Sequence, residues 1–114
     1  MITIKGINPK MIANNLTPFE PTHPGQIVKE EIEYRNITQK KLATQTGISY
    51  TVLNEVLNGK RPVSIEYALL FEAALNIDAT IFIGLQADYD LQTAKSNKTF
   101  TQRLENIRKV AALL

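Results

Sequence analysis

The chain has 114 residues, 44% of them apolar and 21% charged, which allows one hydrophobic core and one compact unit and argues against a disordered chain. It has no cysteine, which excludes a disulfide framework, a thiolate metal site and a cysteine nucleophile. The apolar runs, such as Tyr67 to Phe71, Ile81 to Ile83 and Val110 to Leu114, are far too short to span a bilayer, and Met1 to Asn15 lacks the apolar centre of a signal peptide, so a soluble, cytoplasmic protein is expected.

Residues 1–22 read as an N-terminal arm, with a candidate strand at Ile2 to Lys5, an Asn8-Pro9 start, and Pro18 and Pro21 forbidding a long helix. A domain is expected over 23–94. Its first helix opens with His23 as cap, Pro24 at the first helical position and Gln26 where a capping-box partner stands. Ile27, Val28 and Ile32 share one face of that helix, with Lys29, Glu30 and Glu33 on the other. Thr38 caps a second helix, which buries Leu42 and Ala43 and ends at Gly47 in the left-handed conformation. Ser49 caps a third helix at once, with Val52, Leu53, Val56 and Leu57 as its core stripe, and Asn58-Gly59 and Pro62 stop it. Ser64 caps a fourth helix whose apolar residues are Ile65, Ala68, Leu69, Phe71 and Leu75, and Asp78 a fifth with Ile81, Phe82, Leu85 and Tyr89. After a polar break at Lys95 to Lys98, Phe100, Leu104, Ile107, Ala111 and Leu114 are spaced four, three, four and three, the heptad seam of a C-terminal helix within 95–114. That seam fits core packing, a dimer contact or a contact with another protein.

Two helices joined by a short turn containing Gly make a helix-turn-helix, whose second helix lies in the DNA major groove. Opposite the apolar stripe of the third helix stand Tyr50, Thr51, Asn54, Glu55 and Asn58, all able to hydrogen-bond. Asn suits adenine edges, Glu accepts from cytosine, and Thr and Tyr add apolar contact to thymine methyls. Lys60 and Arg61, with Gln39 and the N–H groups that open the second helix, are placed to hold phosphates. The net charge of +2 is small but unevenly spread. Arg35, Lys40, Lys41, Lys60 and Arg61 stand against Glu55 alone, residues 62–90 carry acids and no Lys or Arg, and from Leu91 onward the excess is again basic. The plain alternative is that any surface helix has a polar face opposite an apolar stripe. Glu55 favours that alternative slightly, since a carboxylate in the groove meets phosphate repulsion unless it finds a cytosine donor.

His23 is the one histidine, and with no second histidine or cysteine beside it capping explains it better than metal binding or catalysis. Asp88 and Asp90, two apart on a helix, point in different directions and read as solvated or as partners for basic residues. No Gly-rich phosphate loop, Ser-His-Asp set or metal-ligand spacing is present, so neither an enzyme nor a cofactor is expected.

The run ITQKKLATQTGIS, followed by NGKRP, resembles the lambda-repressor-like (XRE or Cro-type) helix-turn-helix family. More narrowly, HPGQIVKEEIE at His23 to Glu33, NGKRPVSIEYALLFEAALN at Asn58 to Asn76, and LQADYDLQTA at Leu85 to Ala94 are similar to the HigA (VapI) antitoxin branch. The resemblance implies an all-α, five-helix domain, here with an N-terminal arm and an extra C-terminal helix. It also implies a homodimeric autorepressor that binds double-stranded DNA at its own promoter and neutralises a HigB-like mRNA-cleaving toxin. Carried over by position, Ser49, Tyr50, Thr51, Asn54 and Glu55 fall at base-reading places, and Thr38, Gln39, Asn58, Lys60 and Arg61 at backbone-contacting ones. Tyr50 stands where the family often has Pro or a small residue, and Glu55 where it often has Arg. Two other functions stay open: a regulator of the same fold with no toxin partner, and a partner-sequestering protein with weak DNA binding.

Overall fold

Short polar side chains start every helix of the computed structural model, which describes residues 21–113. His23 Nδ1 accepts from the Gly25 N–H at 2.9 Å, Thr38 from Lys41 at 3.0 Å, and Ser49 from Val52 at 3.2 Å. Ser64 accepts from Tyr67 at 3.1 Å, Asp78 from Thr80 at 2.9 Å, and Asn97 from Phe100 at 2.9 Å. Each satisfies an N–H that the helix itself leaves without a partner. The Asp78 carboxylate takes both the backbone N–H and the hydroxyl of Thr80, which holds its pKa below the usual range.

Six helices follow from these caps: α1 Pro24–Tyr34, α2 Gln39–Thr46, α3 Tyr50–Leu57, α4 Ile65–Leu75, α5 Ala79–Lys95 and α6 Lys98–Ala112. Five therefore lie in the expected domain and the sixth is the expected C-terminal helix, with no strand among the described residues. The candidate strand at Ile2 to Lys5 and all of the arm before Pro21 lie outside the described residues, as does Leu114. Gly47, at φ 79°, closes α2 in the left-handed conformation with its N–H on the Ala43 carbonyl, a geometry in which a Cβ is strained.

The core is assembled from one stripe of each of the first five helices. Val28 and Ile32 come from α1, Leu42 and Ala43 from α2, Leu53, Val56 and Leu57 from α3, Ala68, Phe71 and Leu75 from α4, and Ala79 and Phe82 from α5. Phe71 and Phe82 meet edge to face, with ring centres 6.0 Å apart, an arrangement favoured by the ring quadrupoles. Three residues expected on the buried stripes are outside: Ile65, Leu69 and Ile81 are 63%, 51% and 50% exposed. Ile65 and Leu69 are one turn apart and share the outer face of α4. The mixed apolar character of α4 and α5 hid which of two faces is buried. Gln26, expected as a capping-box partner, gives only its backbone N–H, to the His23 carbonyl. Core packing for the heptad seam is also overturned, because α6 contains no buried residue.

Candidate nucleic-acid interface

A tight turn fixes α3 against α2. The left-handed Gly47, the buried Ile48 and the cap Ser49 together turn the chain between the two helices. Leu53, Val56 and Leu57 anchor the inner face of α3 in the core, and that leaves Tyr50, Thr51, Asn54, Glu55 and Asn58 outward or at the rim. Tyr50 is 53% exposed, and neither it nor Thr51 makes a side-chain hydrogen bond among the described residues. Both are free to meet a ligand.

From below, α3 is held by a close backbone approach. A Cβ on Gly25 would lie 1.9 Å from the Val56 carbonyl oxygen, so α1 reaches α3 only because residue 25 has no side chain. Beside it the buried His23 ring meets Tyr89 of α5 edge to face at 4.9 Å and packs under Gly59 of the loop after α3. Burial lowers the pKa of His23 against the opposing pull of the Asp90 carboxylate and the Arg61 backbone, and its Nδ1 is committed to the cap as an acceptor. The imidazole is therefore a neutral structural group.

The outward polar residues form a connected line. Asn54 Nδ2 donates to Gln39 Oε1 at 3.0 Å, joining α3 to the first residue of α2. Asn58 Nδ2 donates to Asn54 Oδ1 at 3.2 Å and to the Asn54 carbonyl at 2.9 Å. Lys29 Nζ of α1 donates in turn to Asn58 Oδ1 at 3.2 Å. Thus Gln39, Asn54 and Asn58 come together as one network. The hydroxyls of Thr38 and Ser49 are engaged as cap acceptors, with their protons left to donate.

Glu55 and Arg61, assigned separate tasks by position in the sequence, are brought together: Arg61 Nε donates to Glu55 Oε1 across the loop after α3. This hydrogen bond and the carboxylate charge raise the Arg61 pKa further above its ordinary value. The loop that carries Lys60 and Arg61 is fastened to α5 by Gln86, a buried side chain whose Oε1 accepts from the Val63 N–H at 2.8 Å. Gln86 Nε2 donates to Asp90 at 2.9 Å, so among the described residues Asp90 takes its hydrogen bond from an amide and acts on the His23 ring through its charge. Gln86, Gly25 and Lys29 support the site and were missed in the sequence. Gln86 alone had a signal, a polar residue one turn after Phe82 on the buried stripe of α5.

Among the described residues there is no group of three or more His, Cys, Asp or Glu side chains able to hold a metal ion, and no helix is long and apolar enough to cross a membrane. The family model described as "Helix-turn-helix" matches residues 28–82. Virulence-associated protein A' of Dichelobacter nodosus is 35% identical over 72 residues, which is 62% of this chain and 63% of that protein, so the match spans less than two thirds of the relative's length. An addiction module antidote protein of the HigA family from Coxiella burnetii superposes with a TM-score of 0.68 at 26% identity, covering 77% of this chain and 95% of that one. The antitoxin HigA of Pseudomonas aeruginosa, solved with the higBA promoter, gives a TM-score of 0.68 at 25% identity over 75% of this chain and 92% of that one. Residues 28–82 thus match the helix-turn-helix family in sequence, and in fold the chain is similar to antitoxins of the HigA family.

Proposed function

We propose that this chain is a sequence-specific DNA-binding autorepressor and the antitoxin of a HigBA-type module, acting as a homodimer on its own promoter. The observation that carries the DNA half is the reading face of α3. Tyr50, Thr51, Asn54 and Glu55 stand together at its surface, with Ser49 at its start and Lys60 beyond its end, in a fold shared with an antitoxin solved on its promoter. In this reading Ser49, Tyr50, Thr51, Asn54 and Glu55 face base edges, and Thr38, Gln39, Asn58, Lys60 and Arg61 set the backbone register. The Asn58–Asn54–Gln39 network supports it by fixing the reading helix to α2 before DNA arrives, which lowers the ordering cost of binding.

The protein-partner half is supported by exposed apolar surface. Phe100, Ile107 and Val110 of α6 and Leu113 just after it, with Ile65 and Leu69 of α4, lie open, more than a monomer has reason to leave to water. Such a surface fits a protein partner, a second copy of the chain or a toxin. Residues 23–94 would form the DNA-binding domain and 95–114 a protein-contact helix. No chemistry is assigned to the chain, and we read it as a binding protein, not an enzyme.

A fluorescence titration against the duplex upstream of its own reading frame, with a scrambled duplex beside it at roughly 0.15 M salt, tests the reading. Preference for the promoter by about a thousandfold is expected. Equal, weak binding to both duplexes would remove the repressor assignment, and failure to co-purify with the product of the adjacent gene would remove the antitoxin one.

A further inference from the structure

The geometry points to Glu55 and Arg61 working as one electrically neutral reading unit, in which Arg61 is a positioning residue for the Glu55 carboxylate and that carboxylate accepts from a cytosine amino group. The inference rests on the DNA-binding reading above and changes the assignment of both residues within it. Glu55 lies on the outer side of α3 and Arg61 on the loop six residues later, and their side chains are 36% and 52% exposed. Arg61 occupies Oε1 only. Oε2 has no hydrogen-bond partner among the described residues, so one acceptor oxygen remains for a ligand. In the major groove the donors available to a carboxylate are the amino groups of cytosine and adenine. That of cytosine has an acceptor, guanine O6, on one side only, whereas that of adenine lies between its own N7 and thymine O4, so cytosine repels the charge less.

Electrostatics gives the pairing its reason. A lone carboxylate at the reading face would stand among phosphates with nothing to offset the repulsion. With Arg61 on one oxygen the unit carries no net charge, so it can enter the groove. The same pairing withdraws Arg61 from the phosphates. If Arg61 left for a phosphate, Glu55 would be uncovered and the gain would be offset. Either way the two residues together contribute close to nothing to counterion release. The long-range attraction to the backbone then falls to Lys60, whose amino group has no partner among the described residues.

The test is a set of four proteins, wild type, E55Q, R61Q and E55Q/R61Q, titrated against the promoter duplex and a scrambled control over a range of salt. On the control, E55Q frees Arg61, so binding tightens and the slope of log K against log salt steepens by about 0.9. R61Q uncovers the carboxylate and weakens binding but keeps the wild-type slope, since Arg61 held no phosphate. The double variant also has the wild-type slope, so the steepening in E55Q is lost with Arg61 and the cycle is non-additive in slope. On the promoter, changing one C·G pair in each half-site costs the wild type about 10- to 100-fold, and that penalty disappears in both variants that lack Glu55 and shrinks in R61Q. An unchanged slope in E55Q, or slope changes in the two single variants that sum to that of the double variant, overturns the paired unit. A base scan in which no C·G pair depends on Glu55 overturns the cytosine readout. Wild-type protein that shows the slope behaviour without preferring its promoter would remove the operator reading and leave the pair, whereas no binding by any of the four would remove both. Because both side chains are exposed, circular dichroism melts of the four should coincide, which separates these effects from unfolding.

Discussion

At Gly25 a single added carbon would sit inside van der Waals contact with the Val56 carbonyl oxygen and carbon, at 1.9 and 2.8 Å. Those atoms belong to a helix backbone and cannot swing aside as a side chain can. Gly25→Ala must therefore push α1 away from α3, and a loss of about 1–3 kcal/mol is expected from urea unfolding. An unchanged midpoint would show that the two helices are not in contact there. His23, two residues earlier, gives a prediction in pH. Its folded pKa lies below the ordinary 6.5 because burial penalises the cation, so below pH 6.5 the unfolded chain binds a proton that the folded one does not. Stability contributed by the neutral ring is thus full above pH 6.5 and falls as the pH drops below it, levelling off below the depressed value. His23→Asn keeps a capping acceptor and removes the titration. Its unfolding free energy should be flat between pH 7.5 and 5.5 where that of the wild type declines, and parallel curves for the two proteins would refute the assignment.

Between elements, the decisive contact is the one Gln86 makes. Its carbonyl oxygen accepts the Val63 N–H and its amide donates to Asp90, so the loop bearing Lys60 and Arg61 is tied to α5. Gln86→Ala leaves a buried N–H without a partner, which costs about 1–3 kcal/mol and releases the loop. A loss of stability in urea, together with weaker binding to every duplex, is the expected result, and a stable variant with intact affinity would mean that water replaces the amide without consequence. The sequence was readable where the code is local. Thr38, Ser49, Ser64 and Asp78 are caps because a short side-chain oxygen reaches an N–H two or three residues on, and Gly47 ends α2 because a left-handed residue is needed there. It was not readable where the answer depends on what packs opposite. Ile65, Leu69 and Ile81 have the hydrophobicity of core residues, yet α4 and α5 bury Ala68, Phe71 and Phe82 instead, and periodicity cannot choose between two apolar faces. Pairings across the chain, such as Glu55 with Arg61 or Asn54 with Gln39, are set by the turn geometry that brings the helices together and leave no mark in either segment alone.

Across the whole molecule the two proposed surfaces divide by chemistry. In the proposed function the polar face of α3 and the Lys60 loop would serve DNA, and the exposed apolar residues of α6 a protein, for which we propose a second copy of the chain. A two-fold operator presents half-sites about 34–36 Å apart, so one reading helix per molecule binds usefully only if two molecules are linked. Ile107 and Val110 are exposed on α6, where no residue is buried, so charges placed there have no core to disrupt. In the double variant Ile107→Glu, Val110→Glu, sedimentation should show a monomer where the wild type is a dimer, and promoter affinity should fall by about a hundredfold because the second half-site is no longer delivered with the first. Affinity for a single half-site should stay at the wild-type value, since α3 and its supports are untouched. A variant that remains dimeric with full promoter affinity would move the self-association surface off α6 and leave that helix to the toxin.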